Sequence, residues 1–125
     1  MNDKFLIVKH IKEFIMSIND IVINYPRKEF VIKDRIMNDS LDILELVYNA
    51  NYTKGDTSDK KIQILTKLSM LDFYFERSYK LKIISEKVCI KKCSELTNIR
   101  KMIYGWMKSD SKLQWFIICL WKSNI

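Results

Sequence analysis

The sequence predicts an all-α protein, an antiparallel up-down-up-down four-helix bundle that self-associates. Three observations carry that reading. The 125 residues include two glycines and one proline, too few for the many turns of an all-β fold. Apolar residues recur at three- and four-residue spacing along four segments of roughly 20 to 25 residues joined by short breaks. Two adjacent segments also carry more apolar surface than one bundle hides, and exposed patches of that size are rare on monomers.

Asn2 and Asp3 can cap the first helix, whose pattern runs to Asn24. It is apolar over most of its circumference, from Phe5, Leu6, Ile7 and Val8 through Ile11, Phe14, Ile15 and Ile18 to Ile21 and Val22. Such a helix should be buried on more than one side; a strand-containing start is the alternative. Pro26 disfavours helical geometry at Tyr25 and suits the start of a new helix. The second helix then spans about Lys28 to Asn51, with Ile36, Ser40, Ile43 and Val47 in one stripe and Met37, Leu41, Leu44 and Tyr48 in the next. "NYTKGDTSD", around Gly55, is the clearest loop in the chain. Thr57, Ser58 or Asp59 caps a third helix that reaches about Leu81, and Ser85 caps a fourth that runs to about Lys108.

The third helix has a core stripe of Ile64, Leu68, Leu71, Phe75 and Tyr79. Beside it, Lys60, Gln63, Lys67, Met70, Tyr74 and Arg77 form a mixed stripe. Cations interleaved with an aromatic ring suit a single-stranded nucleic acid, and the same composition suits a subunit interface. The fourth helix sorts into an apolar side (Cys89, Cys93, Leu96, Ile99, Ile103, Met107) and a polar, basic side (Lys87, Lys91, Ser94, Asn98, Lys101, Gly105, Lys108). Gly105 therefore lies outside the core. Either it lets a phosphate or partner chain approach the bare backbone, or the helix bends or frays there. Lys92 and Arg100 project toward the apolar half, where each must snorkel or meet an acid such as Glu45 or Asp72 across an interface.

Charge is uneven. The net charge is +7, yet residues 1–76 hold 11 basic and 12 acidic side chains, and residues 77–125 hold 11 and 3. The C-terminal part therefore favours an anionic partner: nucleic acid, an acidic protein surface or a membrane face. The longest apolar run, "LQWFIICLW", is far short of the ~20 residues that cross a bilayer, and the N-terminus lacks a secretory pattern. A cytoplasmic protein with no membrane partner is expected, and three cysteines fit a reducing compartment. The domain expected is residues 1–109, with an apolar tail, 110–125, docking on the bundle or on a neighbouring subunit.

Chemistry is sparse. Cys89 and Cys93 could offer two thiolates, but a zinc site needs four ligands and His10 is remote. Buried cysteine as a small hydrophobe is the better reading. No phosphate-binding glycine loop, nucleophile motif or paired carboxylate spacing occurs. No catalytic residue, metal ligand or cofactor is expected, and the chain does not read as an enzyme.

Four segments in order, "YPRKEFVIKDRI" (25–36), "LELVYNANY" (44–52), "KLSMLDFYFERSYKLKIISEK" (67–87) and "IRKMIYGWMKS" (99–109), resemble the Avd family. Avd is the accessory variability determinant of diversity-generating retroelements, within a wider four-helix group that includes proteins of ribosomal RNA intervening sequences. The matched positions include Pro26, Arg27, Arg35, Ile36, Leu44, Glu45, Arg100, Gly105, Trp106 and Lys108. Tyr104 stands where family members commonly have a second glycine, and Lys33 and Asp34 stand where they tend to have glycine or glutamine. The resemblance implies a homopentameric ring of bundles with a positive surface. It implies a non-catalytic subunit that binds a reverse transcriptase and template RNA in support of mutagenic cDNA synthesis. The residues assigned to nucleic-acid or reverse-transcriptase binding are Arg27, Arg35, Lys67, Arg77, Lys87, Lys91, Arg100, Lys101 and Lys108. The alternative is a structural or interaction module of the wider group with no retroelement role.

Overall fold

The computed structural model describes residues 3–110. Over them the chain forms α1 (Asp3–Val22), a 3-10 turn (Arg27–Glu29), α2 (Phe30–Tyr52), α3 (Ser58–Lys80) and α4 (Glu86–Asp110), with no strand. Each helix packs on its neighbours in sequence, and α4 closes the bundle against α1. Interhelical pairs run in opposite directions: Arg35 meets Tyr74 while Lys67 meets Asp39, and Lys61 meets Trp106 while Cys89 meets Phe75. The helices are therefore antiparallel, as the short connections require. The expected tail at 110–125 lies outside the described residues apart from Asp110, the last residue of α4.

The boundaries follow local chemistry. α1 ends at Val22, two residues before the expected Asn24, and Pro26 directs the chain into the 3-10 turn rather than straight into α2. Gly55, at φ +94°, makes the loop before α3, a conformation that favours glycine. Thr57, one of the expected residues, is the N-cap of α3 but makes no side-chain capping bond; the backbone N–H of Ser58 donates instead to Asp56 Oδ1 at 2.9 Å. The Ser58 hydroxyl, which donates to the same carboxylate, and then this backbone bond hold the Asp56 carboxyl below its ordinary pKa. Ser85 caps α4 as expected, its Oγ accepting the Val88 N–H at 3.2 Å.

The core is built from Ile7, Ile11, Phe14, Ile18, Ile36, Ile43, Val47, Ile64, Leu68, Leu71, Phe75, Leu96, Ile99 and Ile103, among others. The surplus apolar surface of the first two helices is covered only in part, and Phe30, Val31 and Tyr52 of α2 stay exposed. Val8, Ile15, Met37 and Leu44 are half-buried against the core, while Met16, Ile23 and Leu41 remain exposed. Two expected positions are exchanged. Tyr79 is exposed and Ser78 is buried in its place; Tyr74, expected beside the core, is buried. Ser78 is tolerated because its Oγ accepts from the Tyr25 hydroxyl at 2.8 Å and donates to the Tyr74 carbonyl at 2.7 Å. Burial raises the Tyr25 pKa, against the lowering effect of that bond.

On α4, Trp106 joins the core, while Cys93 and Met107 are only half-buried. Gly105 is exposed, and α4 continues through it to Asp110, so no break occurs there. A Cβ at Gly105 would meet nothing within 4 Å. Gly105→Ala should therefore stabilise the isolated bundle by about 0.5–1 kcal/mol, read by urea denaturation. A loss of stability would show that the backbone there does not sit as an open helical turn.

Candidate nucleic-acid interface

The outward side of α4 carries the charge. Lys87, Lys91, Lys101 and Lys108 are all exposed, as are Ser94, Asn98 and Gly105 on the same side. Lys87 and Lys108 lie about 32 Å apart at 1.5 Å per residue. None of the four lysines has an ion-pair partner among the described residues. Tyr104, 55 % exposed, falls between Lys101 and Lys108 at three- and four-residue spacing, in a row shared with Ile90 and Thr97. Cations for phosphates and a ring for a base thus occur on one face.

The remaining assigned cations divide. Arg77 is exposed on α3 and Arg27 is exposed in the 3-10 turn. Arg35, Lys67 and Arg100 instead bind within the chain. Arg35 Nε donates to the Tyr74 hydroxyl at 2.9 Å, and that bond chiefly raises the Arg35 pKa. Lys67 Nζ lies 3.6 Å from Asp39 and 3.3 Å from Asp42, so it neutralises a buried carboxylate of α2. Arg100 pairs with Asp72 of α3, both side chains largely covered. Its acid is therefore one of those the sequence suggested, but it is met within one chain and not across an interface. The mixed stripe of α3 serves in good part as a seam: Lys67 and Tyr74 face α2 partners, so the alternation of cation and exposed ring is found on α4 instead.

Among the described residues two lysines are buried. Lys92, 3 % exposed, donates to Ser17 Oγ at 2.6 Å and to Glu95 at 3.0 Å. Lys61, 2 % exposed, places Nζ 4.5 Å from the centroid of the Trp106 ring. The sequence reading singled out Lys92 and missed Lys61 and Trp106. Spacing could have found both, since Lys61 precedes Leu65 and Leu68 on one row and Trp106 follows Ile99 and Ile103.

The Cys93 thiol is pushed up to about 12, first by burial and then by Cys89 and Asp72. It is held protonated, unlike a reactive or metal-binding thiolate. His10 lines a cleft of about 260 Å³ between α1 and α4 with Glu13, Ser17, Glu95 and Asn98. Among the described residues no three His, Cys, Asp or Glu side chains converge as a metal site. No helix among them is long and apolar enough to cross a membrane. No protein-family model, curated protein or solved structure matches the chain.

Proposed function

We propose that the chain is a non-catalytic, nucleic-acid-binding accessory subunit of a diversity-generating retroelement, working as a cytoplasmic homo-oligomer, a pentamer on the Avd resemblance, beside a reverse transcriptase and its template RNA. The observation that carries the binding role is the α4 face, where four lysines without an ion-pair partner among the described residues are exposed and two of them, Lys101 and Lys108, flank an exposed tyrosine. Retroelement membership rests on the order and spacing of the four segments that resemble Avd. Assembly would bring several such faces together and multiply the +7 of each copy. Affinity would then fall steeply as salt rises, because bound phosphates release their counterions.

Replacing Lys87, Lys91, Lys101 and Lys108 together by Glu should weaken single-stranded RNA binding by at least roughly 100-fold at low salt. The elution and light-scattering mass of the oligomer should not change. Tyr104→Ala should remove about 1–3 kcal/mol of stacking without altering the salt slope. Equal RNA affinity for wild type and the fourfold variant would defeat this reading. Ile62, Phe73 and Ile90 are also exposed, which favours a second reading as a protein-interaction module of the wider group. A reverse transcriptase gene and a paired template repeat beside the coding sequence, with co-purification of that enzyme, separate the two.

A further inference from the structure

At one end of the bundle the connection from α1 to α2 meets the connection from α3 to α4. Between them lies a cleft of about 280 Å³ lined by Asn24, Pro26, Lys28, Glu29, Leu81, Lys82 and Ile83. Lys28 and Lys82 are exposed and have no ion-pair partner among the described residues. Lys82 is also the one non-glycine residue at positive φ among those described, at +64°. Its backbone explains the angle. The Lys82 N–H donates to the Tyr79 carbonyl and the Ile83 N–H to the Ser78 carbonyl, both at 2.9 Å. This is the Schellman closure of a helix, at whose left-handed position glycine is the favoured residue. Nothing in closing the turn calls for lysine; the chain accepts a strained backbone and gains an ammonium group on the cleft wall.

We infer that this end cleft is a phosphate-binding site in which Lys28 and Lys82 hold one phosphate group of a polynucleotide. The site deepens the reading of α4 and rests on it for the source of the phosphate. Lys87, the first lysine of the α4 face, lies five residues beyond Lys82, so a strand leaving that face meets the cleft next. The volume is below that of a drug-sized pocket and suits a phosphate with its adjoining sugar. Asn24 supplies an amide donor. Glu29 is the opposing charge in the lining and limits affinity for an anion.

The test uses the full chain, a fluorescently labelled single-stranded RNA and a salt series. Lys82→Gly removes the charge and relieves the backbone together, so Tm should rise by about 4 °C and loss of folding cannot explain weaker binding. Lys28→Gln with Lys82→Gly should lower affinity about tenfold and flatten the log–log salt slope by about 1.4, two contacts at ~0.7 each. Glu29→Gln should tighten binding two- to threefold, by roughly the gain expected from removing one repelling charge. Wild-type affinity and slope in the double variant would overturn the cleft and leave the α4 reading standing. If the wild-type chain binds no RNA, the α4 reading fails, and titration of the ¹⁵N-labelled protein with inorganic pyrophosphate judges the cleft alone. Saturable shifts centred on the amides of Asn24, Lys28, Lys82 and Ile83 uphold it; their absence overturns it.

Discussion

Glu95→Ala is expected to cost about 2–3 kcal/mol of stability, whereas Lys92→Met at the other end of the same ion pair should cost under ~1 kcal/mol. The asymmetry follows from what each change leaves behind. Lys92 is 3 % exposed, with Nζ fixed by Ser17 and Glu95 and lying 5.7 Å from the Phe14 ring centroid. Without Glu95, that ammonium stays among apolar side chains with one hydroxyl for company. Without Lys92, Glu95 retains water, since its side chain is 33 % exposed, and methionine fills the vacated space. The same exposure brings the Glu95→Ala cost to just below the range of about 3–5 kcal/mol for breaking a fully buried pair. Urea denaturation of both single variants and the double variant measures the coupling. Lys92→Met should rescue Glu95→Ala, and equal costs for the two single changes would refute the account.

Phe75→Ala should be costlier still, by about 3–5 kcal/mol. Phe75 is fully buried and meets Phe14 edge to face, with centroids 6.2 Å apart. The α1 and α3 backbones are not packed against each other, so this ring pair spans the diagonal of the bundle. Its loss leaves a cavity where α1 and α3 meet across the bundle, which the surrounding side chains close only in part. Phe75→Leu keeps most of the volume and should cost about 1–1.5 kcal/mol. Thermal denaturation reads both, and a small effect of Phe75→Ala would mean that the centre of the bundle is loosely packed.

Helix count, the Gly55 loop, the Ser85 cap and the exposed side of α4 were all legible, because each depends on residues within one or two turns of one another. Trp106 falls in neither stripe assigned to α4, although it follows Ile99 and Ile103 at core spacing. Arg35, Lys67 and Arg100 illustrate the harder limit. A single helix's periodicity tells which way a side chain points but not what the next helix presents at that height. Lys67 between Asp39 and Asp42, and Arg100 on Asp72, depend on interhelical register, which no local pattern encodes. The end cleft was invisible for the same reason, since its walls come from turns more than fifty residues apart. The exposed ring among the α4 lysines is likewise absent from the sequence reading, in which Tyr104 stands only at the place of a second glycine.

Greasy surfaces alone let a helix spin or slide by a notch at little cost. α3 is denied that freedom. Along its length Lys67 engages Asp39, Asp72 engages Arg100, Tyr74 receives Arg35, and Ser78 receives Tyr25. These links point toward different parts of the bundle, so no single twist of α3 keeps all of them. The segment is keyed to one angle and one height, like a tumbler held by pins from several sides.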